Sequence, residues 1–328
     1  ESETVPIMER PLRVLSTETP HTSYLKISEG CDHTCAFCAI PLMRGLHRSQ
    51  PVEELVREAA GLGAQGVKEI NIVSQDTTWY GRDARRRDRE APLLPELLRA
   101  LIDGTDVAWY RLFYMYPSGI TPEMVELIAS EARIVPYLDM PIQHGSDHML
   151  QLMRRPERQE TIRERVGWLR DAIPGLTLRT TVIVGFPGEQ DDDFREMLDL
   201  LEEIRFDRVG AFTYSVEEGT RAADMAGQLE QAVMNERLEE LMEVQRDISF
   251  EKNLDLIGQR TTALVDNLLD GDEDFVAVAR TVAQAHEVDG VTNLIGLEGT
   301  AGIEPGSMIE VEIVDALDYD LVAKTRTG

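Results

Sequence analysis

The sequence has few cysteines, few basic residues and no long apolar run. Its 328 residues include three cysteines, and no apolar stretch approaches the length that spans a membrane. Because an odd number of cysteines is a poor disulfide framework, reduced thiols and a cytoplasmic location are expected. The 33 lysines and arginines stand against 60 aspartates and glutamates, which gives a net charge of −27. Such a chain repels phosphate backbones and attracts basic partners.

All three cysteines lie in one short stretch that begins after Gly30. Cys31, Cys35 and Cys38 have the spacing Cys-x3-Cys-x2-Cys. Thiolates are soft metal ligands, and three of them on one loop can face a common point. A cubane iron–sulfur cluster has four irons, so three thiolates would leave one iron open for a further ligand. The spacing therefore fits a cluster that binds a reacting molecule.

Other interpretations of this loop stay open at this stage. The cysteines could be inert buried residues, or they could hold a structural zinc ion with His33 or His47 as the fourth ligand. Structural zinc loops usually pair two knuckles, and the sequence has no second Cys/His pair elsewhere. A zinc-stabilised interaction module without catalysis is the corresponding alternative function.

Strand-like and helix-like segments alternate along most of the chain. Six strands are predicted over residues 24–27, 69–73, 109–113, 134–138, 176–184 and 209–214. Helices are predicted over residues 51–62, 93–102, 122–130, 146–173, 191–204 and in a long segment that ends near 254. Such units imply parallel strands with right-handed crossovers, and six are too few for a complete eight-stranded barrel. An α/β fold with a partial (β/α)6 barrel is therefore expected over residues 23–257.

Polar residues follow several of the predicted strands. In barrels of this kind the chemistry gathers at the carboxyl ends of the strands. The residues at these ends are Ser74, Gln75, Asp76, Tyr114, Tyr116, Gln143, His144, Arg179, Thr180, Thr181, Gly185 and Tyr214. For each of them a structural role, such as a cap or a turn, is the alternative. The run Arg85–Arg87 with Arg89 is interpreted as a solvated loop for which docking stays open.

The two ends of the chain differ from its middle. Residues 1–22 lack a regular period and contain Pro6, Pro11 and Pro20, so we expect a linker from an amino-terminal domain that this chain lacks. Short strands are predicted over residues 261–266, 275–280, 291–294 and 308–314, with turns at Asp270–Asp272 and Asp289–Gly290, so residues 258–328 are expected to form a small antiparallel β-barrel. Such barrels often bind oligonucleotides. This one carries four basic against fourteen acidic residues, so a cationic protein is the expected partner.

The cysteine loop, with Gly30 before it and Phe37 inside it, resembles the radical S-adenosylmethionine (SAM) superfamily. Longer segments resemble the methylthiotransferases of that superfamily: residues 39–41, 44–45, 48–49, 74–77, 137–144, 153–156 and 179–189. The terminal barrel resembles a TRAM domain. Residues 74–77, 114–117 and 207–210 are most similar to the branch that methylthiolates the β-carbon of an aspartate on small-subunit ribosomal protein number twelve. The resemblance covers nearly all of the chain from Thr22 onward.

The resemblance implies a [4Fe–4S] cluster held by Cys31, Cys35 and Cys38, with SAM on the open iron. One SAM would supply a methyl group to sulfur, and another would give the radical that removes the aspartate hydrogen. Gln75, Thr181 and Gly185 lie where the superfamily holds SAM, and no catalytic residue is assigned.

The resemblance also implies partners outside this chain. They are an external electron donor, a sulfur donor and a second cluster in the amino-terminal domain, so this chain alone is not expected to complete the reaction. Nucleic acid is not expected as a direct substrate, and no membrane is involved. A tRNA methylthiotransferase of the MiaB type is the alternative, and the acidic terminal barrel argues against it.

Overall fold

The computed structural model describes residues 15–269, 274–296 and 303–325. Most of the predicted linker and the predicted turn at Asp270–Asp272 therefore lie outside the described residues. Within the described residues, no helix has the length and apolar character needed to cross a membrane.

The described strands form a six-stranded sheet, a closed five-stranded barrel and a two-stranded antiparallel sheet. They are β1 (Thr22–Lys26), β2 (Ser28–Glu29), β3 (Arg48–Ser49), β4 (Glu69–Val73), β5 (Trp109–Leu112), β6 (Ile134–Asp139), β7 (Thr177–Val184), β8 (Arg208–Thr213), β9 (Arg260–Leu268), β10 (Ala277–Thr281), β11 (Thr292–Ile295), β12 (Met308–Ala316) and β13 (Leu321–Thr325).

The described α-helices precede or separate these strands, and most of them cover one face of the first sheet. They are α1 (Ile40–Arg44), α2 (Val52–Ala64), α3 (Arg82–Arg85), α4 (Leu94–Gly104), α5 (Pro122–Ser130), α6 (Asp147–Leu152), α7 (Gln159–Ala172), α8 (Asp191–Ile204) and α9 (Gln231–Leu254). Short 3-10 helices span Thr77–Trp79, Pro117–Gly119 and Ala222–Asp224.

The first sheet is a partial barrel of six parallel strands in the order β1-β4-β5-β6-β7-β8. Alternate residues of its strands point to opposite faces. Ile70, Ile72 and Leu112 belong to the large core under the helices, whereas Trp109 and Phe113 belong to a second cluster on the other face. The predicted α/β partial barrel is confirmed, with each predicted strand present.

Helix α8 illustrates why these segments are helical. Asp193 accepts a hydrogen bond from the Gln190 backbone N–H at 3.0 Å, which caps the first turn. Two further aspartates in that turn complement the helix dipole. Phe194, Met197 and Leu201 recur at helical spacing and are buried, so one face of α8 joins the core.

The helical segments predicted over residues 146–173 are the two helices α6 and α7 in the structure. The chain leaves α6 through Arg154, which has a left-handed backbone with φ of 59°. Pro156 follows two residues later, and a residue that precedes proline is disfavoured in a helix. The break places Arg155 beside the cysteine loop. The sequence did not predict the two-stranded β2–β3 sheet or the helix α1, because each of these elements is too short to show a period.

The carboxyl-terminal barrel is closed, in the order β10-β11-β13-β12-β9. Four of its five neighbouring strand pairs are antiparallel, as predicted, and the β11–β13 pair is parallel. Strand β13 was not among the predicted strands. Small side chains such as Ala263, Ala279 and Ala323 fill the interior, which suits a barrel of this narrow width.

The terminal barrel packs against the sheet face that the helices leave open. Arg280 of β10 bonds Asp266 at 2.7 Å and also contacts Glu69 of the first sheet. Glu69 accepts a second hydrogen bond from Arg111 at 2.8 Å, and Arg111 donates to the backbone carbonyl of Val282 at 2.7 Å. All four charged side chains are buried. This buried charge cluster (Glu69, Arg111, Asp266 and Arg280) fixes the barrel on the sheet.

Candidate metal and cofactor cavity

A cavity of about 550 Å³ opens at the carboxyl ends of β1, β4, β5 and β6. Its walls include the three cysteines, Lys26, Ser74, Gln75, Tyr114, Tyr116, Gln143 and Arg155. The volume is in the range of small-molecule sites, and the position is the one that parallel-strand barrels use for chemistry.

The backbone of the cysteine loop is held from both sides. Gly30 has φ of +77°, and a Cβ there would lie 2.3 Å from the carbonyl oxygen of Leu46. The Cys31 N–H donates to the Gly45 carbonyl at 3.1 Å. Glycine is therefore required at position 30 both by conformation and by space.

The middle of the loop has two further anchors. The Ala36 N–H donates to the Met153 carbonyl at 2.9 Å, and the Ala222 N–H donates to the Ala36 carbonyl at 2.8 Å. Phe37 lies edge-on to Phe186 with ring centroids 6.5 Å apart. Contacts with distant parts of the chain thus fix the direction in which the cysteines point.

The three thiols form a donor set that fits an iron–sulfur cluster. All three are half-buried and unpaired by disulfides. Burial raises the pKa of Cys31 to about 11 and also raises the pKa of Cys38. Buried thiols need a nearby positive charge to ionise, and a bound metal supplies it. In the described part of the chain, no three His, Cys, Asp or Glu side chains surround a single point as one metal ion requires.

Cys35 differs from the other two cysteines in its side-chain contacts. Its Sγ lies 3.1 Å from the Tyr116 hydroxyl and 3.8 Å from Nη1 of Arg155. The Tyr116 ring is stacked between the His33 ring, at 4.2 Å, and the Arg155 guanidinium, at 3.6 Å. Burial holds the pKa of Tyr116 far above its ordinary value, so the hydroxyl keeps its proton. Within this group, two hydrogen-bond donors point at one sulfur.

The segment Ser74–Thr77 combines cavity-lining and structural residues. Ser74 and Gln75 line the cavity, and the Gln75 Oε1 atom is buried without a hydrogen-bond partner. Asp76 is buried, and its carboxylate bonds His33 Nε2 at 2.6 Å. Thr77 donates to the Phe113 carbonyl at 2.6 Å. His33 is therefore held by Asp76 and stacked on Tyr116, which is a positioning role rather than the zinc-ligand role considered above.

His144 has a structural role. It is fully buried, and its Nδ1 accepts the Ser146 backbone N–H at 2.9 Å. The proton of the neutral ring is therefore on Nε2, which faces the Glu189 carboxylate at 3.3 Å. Glu189 also accepts the Gly185 N–H at 2.7 Å. His144 and Glu189 thus fix the loop after β7.

Thr181 and Gly185 lie behind the cavity wall, whereas Gln75 is part of it. The Thr181 carbonyl accepts the N–H of Gln143, a wall residue, at 2.9 Å. Gly185 has φ of +74°, and a Cβ there would lie 2.2 Å from Met234. Of the three residues predicted to bind SAM, Gln75 lines the cavity and Thr181 and Gly185 do not, and the role of all three stays a prediction.

One arginine of the predicted solvated run also contacts the loop. Arg86 donates to Asp32 at 2.7 Å, and Asp32 accepts the His47 N–H at 2.9 Å. Arg85 ends α3, and Arg86 to Arg89 follow as exposed turn residues. Asp32 is the residue after Cys31, so this contact supports the entrance of the cysteine loop.

Comparison with known proteins identifies the family. A sequence model of the radical SAM superfamily matches residues 25–201, and a model of the TRAM domain matches residues 257–325. The chain is 42% identical over 312 residues to the ribosomal protein uS12 methylthiotransferase RimO of Caldanaerobacter subterraneus. The aligned region covers 95% of this chain and 69% of that protein. The chain belongs to the RimO family of radical SAM proteins. Superfamily membership implies a [4Fe–4S] cluster and SAM, so the non-enzymatic zinc module is set aside.

Other RimO proteins give the same assignment. The protein of that name from Anaeromyxobacter sp. (strain K) is 48% identical over 304 residues, which cover 93% of this chain and 63% of the relative. The chain thus spans roughly two thirds of the length of its RimO relatives. Among solved structures, coproporphyrinogen III oxidase (HemN) from Escherichia coli has a TM-score of 0.53 and 15% identity, over 80% of this chain and 66% of that chain. That likeness supports the fold.

Proposed function

We propose that the protein containing this chain methylthiolates the β-carbon of an aspartate on ribosomal protein uS12, the small-subunit ribosomal protein number twelve. The observation that carries the proposal is the convergence of three half-buried thiols on one cavity at the strand ends of a RimO-family barrel. We propose the same division as before: a linker over residues 1–22, the radical SAM barrel over 23–257 and the TRAM-like barrel over 258–328.

Cys31, Cys35 and Cys38 would hold the [4Fe–4S] cluster on the cavity wall. When bound, the cluster and SAM supply the radical that removes hydrogen from the aspartate carbon, and SAM also supplies the methyl group. The chain itself holds the loop, excludes water from the cavity and presents polar groups to SAM. A second cluster and the donors of sulfur and electrons are proposed to come from outside this chain.

Gln75 is the best-placed of the three proposed SAM ligands. Its Oε1 atom is a buried acceptor without a partner on the cavity wall, and an ammonium or hydroxyl group of SAM would satisfy it. Thr181 supports Gln143, and the close packing of Gly185 on Met234 sets the loop after β7. We propose that these two residues act by shaping the cavity.

Lys26 offers a cation for the carboxylate of the substrate aspartate. It lies on the cavity wall, forms an ion pair with Glu29, and keeps 35% of its side chain exposed. Arg155, the neighbouring cation, is instead buried against Glu157. A carboxylate that leaves water for this cavity needs such a partner.

The surface of the terminal barrel favours a basic protein over RNA. Arg280 is buried between Asp266 and Glu69, and Lys324 is paired with Glu312 at 3.0 Å, so two of its basic residues are neutralised. Exposed carboxylates of this barrel include Glu287, Glu304, Glu310, Asp315 and Asp318. Ribosomal proteins are typically basic, and like charge would repel the phosphates of tRNA.

The decisive experiment uses the whole protein, anaerobically reconstituted with iron and sulfide, with SAM, a reductant, added sulfide as the sulfur donor and purified uS12. We expect mass spectrometry to find the modified aspartate, and the triple variant Cys31→Ala, Cys35→Ala, Cys38→Ala to give none. A product on tRNA but none on uS12 would overturn the proposal in favour of the tRNA branch of the superfamily.

A further inference from the structure

Three side chains form a compact group around Cys35, which we call the Cys35 stack: His33, Tyr116 and Arg155. The His33 and Tyr116 rings are nearly parallel, with an angle of 11° between them. On the other face of Tyr116, the Arg155 guanidinium lies 3.6 Å from the ring centroid. The Tyr116 hydroxyl and Arg155 Nη1 both lie within hydrogen-bonding reach of the Cys35 sulfur, at 3.1 and 3.8 Å.

Burying the Arg155 charge in this stack costs desolvation free energy, and packing alone does not account for the presence of a charged side chain there. It is 4% exposed, and Glu157, at 2%, faces it with Nε and Oε2 3.2 Å apart. Its Nη2 donates to the Pro141 carbonyl at 3.0 Å. Burying such a pair gains little stability over apolar side chains of similar volume. The charge is therefore better explained by an effect on its neighbour, which is Cys35.

Among the described residues, neither Cys31 nor Cys38 has both a phenol hydroxyl and a buried guanidinium within hydrogen-bonding reach of its sulfur, as Cys35 does. The backbone N–H groups of His33 and Ile40 lie close to Cys31 and Cys38, and the charge of Arg155 also acts on Cys38. Backbone donors carry no net charge, and a side-chain substitution does not remove them. Cys35 is thus the ligand at which a buried cation and a phenol can act on the sulfur electrons.

We propose that Arg155 and Tyr116 raise the reduction potential of the bound cluster through the Cys35 sulfur, and that Glu157 limits the size of this effect. The inference rests on the proposed function in that it requires a cluster on these three cysteines. A bound thiolate has no proton, so the Tyr116 hydroxyl donates to it. Reduction adds one negative charge to the cluster, and a fixed cation and donors in a buried site stabilise the reduced form more.

The proposal predicts shifts of opposite sign for two partners of one ion pair. Arg155→Met removes the cation and should make reduction harder. Glu157→Gln removes the opposing anion, leaves Arg155 uncompensated and should make reduction easier. If the pair served folding alone, both substitutions would act in the same way, by destabilising the loop. Opposite shifts are therefore diagnostic of an electrostatic role.

The experiment is a mediated redox titration of the anaerobically reconstituted protein, followed by visible absorption and electron paramagnetic resonance. For Arg155→Met we expect the reduction equilibrium constant to fall about tenfold, which is about 59 mV more negative for a one-electron couple. Tyr116→Phe keeps the ring and loses the hydroxyl, so a smaller negative shift is expected. Glu157→Gln should give a positive shift. Arg154→Gln is the matched control, because Arg154 is the exposed neighbour and its charge is screened.

The outcomes separate this inference from the proposed function. If Arg155→Met fails to hold the cluster, Tyr116→Phe and Glu157→Gln carry the test by themselves. Negative and positive shifts for these two variants support the inference. Shifts no larger than that of Arg154→Gln, or shifts of the same sign, overturn it and leave the proposed function intact. A wild-type protein that binds no cluster overturns both.

Discussion

Removal of the Arg280 charge should weaken the attachment of the terminal barrel to the sheet. Arg280 is buried and contacts Asp266 at 2.7 Å and Glu69 across the interface. In Arg280→Met, Glu69 keeps Arg111 at 2.8 Å and the Thr22 hydroxyl at 3.4 Å, and Asp266 keeps His21 at 2.9 Å, so each carboxylate still has a partner. Breaking a buried pair typically costs about 3–5 kcal/mol. Because neither carboxylate is left alone, we expect a loss of about 3 kcal/mol in the free energy of unfolding.

An exposed ion pair of the same length provides the control. Arg163 and Glu203 are 2.7 Å apart, with 40% and 53% of their side chains exposed. Arg163→Met should cost about 0–1 kcal/mol, because solvent screens the pair. Urea unfolding is followed by circular dichroism and by tryptophan fluorescence, since Trp109 packs at the interface. Equal losses for the two variants, or a loss under about 1 kcal/mol for Arg280→Met, would refute the burial argument.

Three further predictions follow from the site and the interface. Gly30→Ala should abolish cluster binding, because a Cβ at this position would lie 2.3 Å from the Leu46 carbonyl oxygen. Iron content after reconstitution measures this loss. The control Gly61→Ala should bind iron normally, because a Cβ at that position has no atom within 4 Å. Lys26→Gln should raise the KM for uS12 by about tenfold if Lys26 pairs with the substrate carboxylate, while the cluster spectrum stays unchanged; an unchanged KM would contradict this role. Burial raises the pKa of Asp266, but its hydrogen bonds to His21 and Arg280 outweigh burial and lower the pKa below its ordinary value. The charged Asp266 therefore stabilises the folded state above the unfolded pKa of about 3.9, and this stabilisation is lost as the pH falls below that value. The stability difference between wild type and Asp266→Asn should therefore shrink from pH 6 towards about pH 3, and a constant difference would show that the charge of Asp266 is not involved.

Local patterns in the sequence predicted the barrel. Each of its six strands is an apolar segment followed by a helical repeat, and both periods are read within a few residues. The strand Glu69–Val73 and the helices Pro122–Ser130 and Asp191–Ile204 have the predicted limits. The cysteine spacing is equally local, because all three thiols lie within eight residues.

Local sequence patterns did not predict the contacts between residues that are distant in sequence. Arg155 was part of a recognised motif, yet its position beside Cys35 depends on a contact between residues 120 apart in sequence. Tyr116 lies at a predicted strand end and in the segment 114–117 that carries the resemblance, yet its bond to Cys35 spans 81 residues. No period or spacing encodes which side chain stacks on which. The parallel β11–β13 pair was missed for the same reason, since local alternation does not specify strand direction.

The sequence by itself determined the fold class, the clustering of three thiols and the acidic character of the terminal barrel, because composition, short periods and the spacing of three cysteines carry that information. Only the tertiary structure decided that His33 is a stacked positioning group, that His144 is structural, and that Arg280 is buried between carboxylates from two parts of the chain. The physical reason is that hydrogen bonds, stacking and burial act across space. They exist only after the chain has brought distant residues together.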